Sequence, residues 1–287
     1  MYNLSDVGTI KLILEKYGFS FSKSLGQNFL INPAVCPQMA DEAVITEEDG
    51  IIEIGAGIGV LTAELCKRAK KVVSIELDKR LLPVLDETLK DFDNFEVVND
   101  DILKVDLHKL INEKFGDCKN VSVCANLPYY ITSPVIMKLL EDKLPIKQII
   151  VMVQKEAADR LTADVGTRNS GAITVAVNFY ANAEKLFNVS KGSFIPSPKV
   201  DSAVIKLSVY ENPPINTEDE EVFFKMVKAI FMQRRKTALN GISAGMNLSK
   251  ELVAKAIENA GFGLAVRAEK LNLEELCILS NKLKEVM

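Results

Sequence analysis

The chain has 287 residues, with 35 lysines and arginines against 39 aspartates and glutamates, which gives a formal net charge of −4. Hydrophobic residues make up 48% and charged residues 26%, a balance that excludes an intrinsically disordered chain. No run of about 18 uncharged apolar residues occurs, so the sequence predicts no transmembrane helix. The first residues lack the basic segment and apolar run of a signal peptide, and we therefore expect a cytoplasmic protein.

The rarest residue types narrow the possible chemistry. The 5 cysteines form no C-x-x-C pair, which argues against a disulfide framework and against a structural zinc site. The single histidine, His108, cannot supply the imidazole cluster of most catalytic zinc sites, and we expect it to be a surface or helix-cap residue. Any reaction must therefore depend on carboxylates, amides, aromatic rings and the backbone, and we expect no metal.

Short apolar runs alternate with helical patterns through the first two-thirds of the chain. Such alternation predicts an α/β fold with a largely parallel sheet and helices on both faces. The last two runs are joined by Ser-Pro-Lys turns and predict an antiparallel end to the sheet. The predicted strands are 50–54, 71–77, 95–98, 121–125, 148–153, 172–179 and 203–209. Helical patterns between them include 60–69, 79–89 and 134–140.

The pattern changes near Tyr210, where Asn212-Pro213-Pro214 begins a linker signal. Beyond it, apolar residues at three- and four-residue spacing predict helices over 218–231, 250–259 and 272–285. We therefore predict a first domain over residues 1–210, with a helical N-terminal extension over 1–45, and a small all-helical domain over 211–287.

The charge distribution is uneven in this C-terminal part. No acidic residue occurs between Val222 and Lys250, whereas Arg234, Arg235 and Lys236 are consecutive. A run of this kind is typical either of a solvated helix end or of a local face that contacts nucleic acid.

A glycine-rich loop follows the first predicted strand of the sheet. The segment from Glu53 to Thr62 has the spacing G-x-G-x-G, beginning at Gly55 and Gly57. A strand that leads into glycines and then into a helix lets a ligand approach the backbone closely, because no Cβ intervenes. The loop indicates a nucleotide-like cofactor.

Two carboxylates follow the next two strands. Glu76 ends the second strand and can accept hydrogen bonds from both ribose hydroxyls, and Asp101 follows the third strand and can accept one from an adenine amino group. These residues leave both NAD and S-adenosylmethionine open. The second is favoured, because no basic residue that would bind phosphate lies near the loop and because the next motif has no role in hydride transfer.

That motif, Asn126-Leu127-Pro128-Tyr129-Tyr130, ends the fourth strand. The amide oxygen of Asn126 and the carbonyl of Leu127 can each accept one N–H of an adenine amine, which frees the nitrogen lone pair for attack. Pro128 fixes the turn, and Tyr129 can stack on the base, a contact typically worth about 1–3 kcal/mol. Such a pocket requires a base extruded from its stack.

Four motifs in this order carry a family resemblance: 24–30 (SLGQNFL), 53–62, 126–130 and 194–202 (FIPSPKVDS). Together they resemble the ribosomal RNA adenine N6,N6-dimethyltransferases, and within them the bacterial small-subunit (16S) family. The resemblance implies a class I S-adenosylmethionine-dependent methyltransferase fold, Rossmann-like with a seven-stranded mixed sheet, and a small all-helical C-terminal domain.

The resemblance also implies an activity. It predicts dimethylation of N6 of two adjacent adenosines in the 3′-terminal hairpin of 16S rRNA, during small-subunit biogenesis, with S-adenosyl-L-methionine as methyl donor. The expected partner is 16S rRNA within the immature small ribosomal subunit, with no membrane involved, and we expect a monomer.

The same resemblance assigns roles to individual residues. The implied catalytic residues are Asn126, Leu127, Pro128, Tyr129 and Phe194, with Phe194 facing Tyr129 across the base. The implied cofactor-binding residues are Asn28, Leu30, Gly55, Gly57, Glu76, Asp101 and Asn126. RNA contacts are expected at Arg234, Arg235 and Lys236.

Three alternatives stay open at this point. The nearest is the large-subunit ribosomal dimethylase that confers macrolide resistance, although the long C-terminal segment and the motif at 194–202 favour the small-subunit enzyme. The others are a binding-only assembly or transcription factor on a methyltransferase fold that has lost activity, and an NAD-dependent dehydrogenase.

Overall fold

A computed structural model of the chain describes residues 2–19, 22, 26–233 and 235–287. Contacts between residues divide the chain into two units. The first comprises Met1–Ala158 and Glu184–Val209, and the second comprises Asp159–Ala183 and Tyr210–Met287. The second unit therefore takes in a segment, Asp159–Ala183, that the predicted boundary at residue 210 assigns to the first domain.

The main sheet has seven strands in the order β4-β3-β2-β5-β6-β9-β7. Strand β2 pairs in parallel with β3 and β5, whereas β6 pairs antiparallel with β9. The predicted seven-stranded mixed sheet of Rossmann-like type is confirmed. The strands are β2 (Gly50–Ile54), β3 (Lys71–Ile75), β4 (Phe95–Val98), β5 (Val121–Asn126), β6 (Gln148–Gln154), β7 (Ala181–Val189) and β9 (Ser202–Val209).

Helices of the first unit pack on this sheet through two buried apolar clusters. One contains residues of α2 and α3 with the β2 residue Ile51, and the other contains residues of α1 and α4 with Ile58 of the glycine loop. Burial on both faces explains why most residues of β2 and β5 are apolar. The helices are α1 (Val7–Lys16), α2 (Val35–Ala43), α3 (Val60–Cys66), α4 (Leu82–Thr88), α5 (Leu107–Lys114) and α6 (Thr132–Glu141).

A separate two-stranded sheet joins the N-terminal motif to the motif at 194–202. Strand β1 (Phe29–Leu30) pairs antiparallel with β8 (Phe194–Ile195), so that Leu30 lies opposite Phe194. Residues far apart in the chain therefore lie together, which positions both motifs beside the carboxyl ends of the main strands.

The prediction of a strand over 172–179 is wrong, because this segment forms helix α8 (Ala172–Tyr180). The N–H of Gly171 donates to the Thr174 hydroxyl at 3.0 Å, which stabilises the first turn of the helix. Most residues of α8 are buried, so its sequence lacks an exposed polar face, and a short apolar run of this kind does not distinguish a helix from a strand. The seventh member of the sheet is instead β7, which follows α8 directly in the chain and forms the edge of the sheet beside β9.

Helix α8 packs within the second unit, which explains why its segment groups with the C-terminal helices. The ring centroid of Phe179 lies 5.3 Å from that of Phe223 and 5.2 Å from that of Phe224, both in α9. Helix α7 (Lys155–Leu161) precedes this segment. The C-terminal helices are α9 (Glu220–Met232), α10 (Ala238–Met246), α11 (Lys250–Asn259) and α12 (Leu273–Val286).

Helix α10 is absent from the sequence prediction, and its packing explains why. A Cβ at Gly245 would lie 2.5 Å from the Cβ of Ala229, and one at Gly241 would lie 3.1 Å from the Cα of Ile230. Glycines allow this close approach to α9 but weaken the apolar periodicity from which a helix is predicted. Across the described part of the chain, no helix is both long and apolar enough to span a membrane.

Candidate active site

The carboxyl ends of the parallel strands surround a pocket of about 300 Å³ in the first unit. Residues after β2, β3, β4 and β5 line it, together with residues of the small sheet formed by β1 and β8. This is the edge at which open α/β sheets bind ligands. All of the predicted cofactor and catalytic residues line it: Asn28, Leu30, Gly55, Gly57, Glu76, Asp101, Asn126, Leu127, Pro128, Tyr129 and Phe194.

The glycine loop presents its backbone to this pocket. Gly55 has φ +79, and a Cβ built there would meet no atom within 4 Å, so the pocket side of this residue is open to a ligand. Gly57 has φ +59, and a Cβ there would lie 3.3 Å from the Phe29 ring. Both positions require the left-handed backbone conformation that glycine adopts at little cost.

Glu76 is held in place by the backbone around it. Its side chain is largely buried; one oxygen accepts the N–H of Gly57 at 3.0 Å and the other accepts the N–H of Asp78 at 2.8 Å. Burial raises the pKa of this carboxyl, against the lowering effect of these two bonds. Each oxygen keeps a further lone pair, so the group can accept bonds from a pair of hydroxyls on one ligand.

Asp101 lies at the neighbouring strand end, after β4. One of its oxygens accepts the N–H of Leu103 at 3.0 Å, and the other lies 3.7 Å from the ammonium group of Lys104. The local backbone bond fixes the carboxylate at the pocket wall, where it can accept a bond from an amino group.

Glu53 lies beneath the glycine loop and is fully buried in β2. Its Oε2 accepts hydrogen bonds from the hydroxyl of Thr62, at 2.7 Å, and from that of Ser74. Among the described residues its Oε1 has no hydrogen-bond partner. Burial raises the pKa of Glu53 to about 7 despite these hydrogen bonds. This side chain therefore links β2, β3 and the start of α3, the three elements that carry the loop.

Asn126 ends β5 and lines the pocket, and the NH₂ group of its amide is already hydrogen-bonded. Its Nδ2 donates to the Asn28 carbonyl over 3.4 Å, which leaves Oδ1 as an acceptor for a ligand. The next residue is fixed by the sheet, because the N–H of Leu127 donates to the carbonyl of Met152 at 3.2 Å. The Asn28 side chain itself donates to the carbonyl of Gly26 at 2.9 Å and stabilises its own loop.

Two aromatic residues line the same end of the pocket. Tyr129 is half-buried, and its hydroxyl lies 2.7 Å from the hydroxyl of Ser202. Burial raises the pKa of the Tyr129 phenol, which therefore stays protonated at neutral pH. Phe194 is buried, and its pairing with Leu30 fixes its backbone.

Sequence reasoning assigned no role to Met152, which lines the pocket, or to Ser202, the last residue of the motif at 194–202, which supports a lining residue. Met152 lies inside β6, lines the pocket and accepts the N–H of Leu127. Ser202 contacts Tyr129 although 73 residues separate them. Both contacts follow from the strand order β5-β6-β9, in which β9 is antiparallel, and no local signal in the chain gives that order.

The other predicted residues are not among those that line this pocket, or they fall outside the described residues. Arg235 and Lys236 are exposed in the second unit, between α9 and α10, whereas Arg234 lies outside the described residues. Ser24 and Leu25 of the N-terminal motif are also outside them. His108 is exposed, as expected, with its Nε2 2.7 Å from the carbonyl of Asp142.

A seven-stranded sheet of this order, with a glycine loop after β2 and a buried carboxylate after the neighbouring β3, has the architecture of a class I methyltransferase. The model of the ribosomal RNA adenine dimethylase family matches residues 18–285, and the chain belongs to that family.

Curated relatives match over nearly the whole chain. The "Ribosomal RNA small subunit methyltransferase A" of Bacillus pumilus is 48% identical over 280 residues, which cover 96% of each chain. The protein of the same name from a Geobacillus species is 46% identical over 288 residues and 99% of each chain.

Two solved structures are similar in fold. A dimethyladenosine transferase from Plasmodium falciparum has a TM-score of 0.74 at 26% identity and covers 90% of this chain and 98% of its own. The 23S rRNA methyltransferase ErmE has a TM-score of 0.65 at 26% identity and covers 89% and 99%.

Family membership decides between the two cofactors that the glycine loop leaves open. The methyl donor is S-adenosylmethionine, and the pocket fits it. The open backbone at Gly55 accepts a close ligand, and the buried Glu76 carboxylate has acceptor capacity for the two ribose hydroxyls. The dehydrogenase and binding-only alternatives are not supported.

Proposed function

We propose that the chain dimethylates N6 of two adjacent adenosines in the 3′-terminal hairpin of 16S rRNA, within the immature small ribosomal subunit. It uses S-adenosylmethionine and acts as a monomer in the cytoplasm, where ribosome assembly occurs. The observation that carries this proposal is a single pocket lined both by Glu76 and Asp101 and by Asn126 and Tyr129. A cofactor site and a base site in one pocket are what direct methyl transfer to a base requires.

On the cofactor side, three strand ends each hold one part of the ligand. The backbone at Gly55 would lie against the methionine part, Glu76 would accept hydrogen bonds from the ribose hydroxyls, and Asp101 would accept one from the adenine amino group. Bound there, S-adenosylmethionine would supply an electrophilic methyl group on a sulfonium: the N6–methyl bond would form as the S–methyl bond breaks, with S-adenosylhomocysteine as leaving group and the N6 proton lost to solvent. Asn28 and Leu30 close the pocket from the N-terminal motif.

On the base side, the amine is activated by hydrogen-bond acceptors rather than by a strong base. Asn126 Oδ1 and the Leu127 carbonyl each accept one N–H of the adenine amine, which frees its lone pair. The contact of the Asn126 amide with the Asn28 carbonyl supports this orientation, because it assigns the NH₂ side of the amide to the protein. Pro128 holds the turn, and Tyr129 and Phe194 hold the extruded base by stacking.

The second methyl transfer imposes a further requirement on the same groups. A monomethylated adenine has a single N–H left on N6, so one of the two acceptors loses its donor. The base must then be held largely by its aromatic contacts.

The choice of the small subunit rests on the relatives. The relatives named for the small subunit are 46–48% identical over nearly the full chain, whereas ErmE, named for 23S rRNA, is 26% identical. The exposed Arg235 and Lys236 bind rRNA phosphates, together with Arg234, which precedes them in the sequence. A net charge of −4 supports recognition of an assembled particle rather than of free RNA.

A substrate competition tests the proposal. Small and large ribosomal subunits that both lack adenine dimethylation are mixed with the protein and radiolabelled S-adenosylmethionine, and label is counted in each separated rRNA. We expect label in 16S rRNA, mapping to two neighbouring adenosines of the 3′-terminal hairpin. Label confined to 23S rRNA would contradict the small-subunit assignment and support the resistance enzyme instead.

A further inference from the structure

Among the described residues, the Tyr129 phenol makes one hydrogen bond, to the hydroxyl of Ser202. The two hydroxyl oxygens lie 2.7 Å apart, and either can donate. Ser202 is fully buried, and Tyr129 is half-buried at the pocket wall. The ring that lines the base site is therefore held at its far end by a hydroxyl outside the pocket lining.

The sheet fixes the position of that hydroxyl. Ser202 is the first residue of β9 and pairs with Gln154 of β6, and the next backbone bond joins the Lys155 N–H to the Asp201 carbonyl at 3.0 Å. The pKa of Tyr129 is raised by burial, so its O–H remains a donor at neutral pH. Through Ser202, a rigid strand thus holds the hydroxyl end of the Tyr129 side chain in one position.

We infer that Ser202 is a positioning residue for the reaction, which holds the Tyr129 ring in place against the target base and thereby favours the second methyl transfer over release of the monomethylated product. This inference rests on the proposed dimethylation, since it concerns how the same pocket completes it.

The second transfer depends on the ring more than the first does. Unmethylated adenine has two N–H groups for the two acceptors, Asn126 Oδ1 and the Leu127 carbonyl, and these bonds orient the base even where stacking is imperfect. Monomethylated adenine has one, so the share of stacking in its orientation rises. A Tyr129 ring that is free to tilt therefore harms the second transfer most.

The test measures the two products separately. Wild-type protein and the variants Ser202→Ala, Tyr129→Phe and the double variant are incubated with S-adenosylmethionine and undermethylated small subunits. The rRNA is digested over time, and N6-methyladenosine and N6,N6-dimethyladenosine are quantified by mass spectrometry. Ser208→Ala is the matched control, because Ser208 lies at the other end of β9, opposite Gln148.

We expect the ratio of the second rate constant to the first to fall about five-fold in Ser202→Ala, the equivalent of about 1 kcal/mol for a lost hydrogen bond. Tyr129→Phe removes the same bond from the other side and should give a similar fall. The double variant should be no worse than either single variant, because both remove one interaction. Ser208→Ala should retain the wild-type ratio.

Three results would overturn the inference. They are an unchanged ratio in both Ser202→Ala and Tyr129→Phe, an equal loss of both rate constants in Ser202→Ala, and additive losses in the double variant. Tyr129→Phe keeps the test decisive if Ser202→Ala does not fold. Failure of the proposed function itself is distinguishable, because wild-type protein would then form neither product.

Discussion

The two sides of the pocket are held in different ways. On the cofactor side, backbone N–H groups occupy both oxygens of Glu76, from Gly57 at 3.0 Å and from Asp78 at 2.8 Å. On the base side, the Asn126 amide has one long contact of 3.4 Å with a carbonyl, and the Tyr129 phenol has one hydroxyl partner at 2.7 Å. Two backbone N–H groups thus hold the Glu76 side chain, whereas the side chains of Asn126 and Tyr129 are each held by one hydrogen bond.

This difference matches what each side must bind. The cofactor presents the same ribose and adenine groups in every turnover, so a rigid set of acceptors can bind it each time without adjustment. The base site must hold adenine before and after its first methyl group, with two N–H groups and then one. The single long contact of the Asn126 amide allows that adjustment, whereas the hydrogen bond to Ser202 holds the Tyr129 ring. Substitutions on the two sides should therefore have different effects.

The largest expected effect is on the base side. Asn126→Ala removes an acceptor from the reacting amine, and we expect methyl transfer to fall by at least about 100-fold, the order of effect seen when one transition-state hydrogen bond is lost. Single-turnover rates measure this loss. Titration calorimetry is the control, since affinity for S-adenosylmethionine should change far less than the rate. A variant that transfers methyl groups at the wild-type rate would contradict the role of Asn126.

The next prediction concerns Glu53, the buried side chain that links the elements carrying the glycine loop. The pKa of Glu53 is about 7 in the fold against an ordinary 4.5, so between these pH values the folded state binds more protons than the unfolded state. The contribution of Glu53 to the free energy of unfolding is therefore highest below pH 4.5. It falls by roughly 3 kcal/mol as the pH rises through about 7.

Glu53→Gln does not titrate and should lose that pH dependence. Urea unfolding at several pH values between about 4.5 and 8 measures the difference in slope between wild type and variant. Glu47→Gln, at an exposed position, is the matched control and should keep the wild-type slope. Parallel curves for Glu53→Gln and wild type would show that Glu53 ionises normally in the fold.

A smaller effect is expected at the ribose. Glu76→Ala removes a carboxylate that accepts two hydroxyls, and we expect the affinity for S-adenosylmethionine to weaken about 30-fold, or about 2 kcal/mol for charge-assisted bonds. Calorimetry measures it, with Glu96→Ala on the neighbouring strand β4 as control, since Glu96 does not line the pocket. Unchanged affinity in Glu76→Ala would exclude the ribose role.

The smallest effect is expected from substitutions at residues that do not line the pocket. Reversing the charge at Arg235 and Lys236 should weaken binding to small subunits several-fold and lower the dependence of log affinity on log salt by about 1–2. Lys255→Glu with Lys270→Glu changes the net charge equally within the second unit and is the control. If the two double variants bind alike, the effect is one of overall charge and not of this segment.

Much of the pocket could be predicted because its residues lie at the ends of strands that the local sequence pattern predicts. Glu76 ends β3 and Asn126 ends β5, and both strands are parallel to β2, so residues read as strand ends meet at one edge. The helices 250–259 and 272–285 were predictable for a similar reason. Each starts directly after a polar capping residue, Ser249 or Asn272, and each carries its apolar residues at helical spacing.

What could not be predicted depends on packing between distant segments. The segment 172–179 forms a helix because it is buried among the second-unit helices, and an apolar run does not reveal which neighbours will bury it. Helix α10 packs through Gly241 and Gly245, which leave little periodicity. Ser202 reaches Tyr129 only through the position of β9 in the sheet.

The most direct test of the central claim identifies the chemical product. Wild-type protein is incubated with radiolabelled S-adenosylmethionine and undermethylated small subunits, the rRNA is digested to nucleosides, and the labelled species is identified by chromatography against standards. A pocket that directs N6 of adenine to the methyl donor predicts N6,N6-dimethyladenosine as the final labelled nucleoside. Label on any other base or atom, or no label despite measurable cofactor binding, would contradict it.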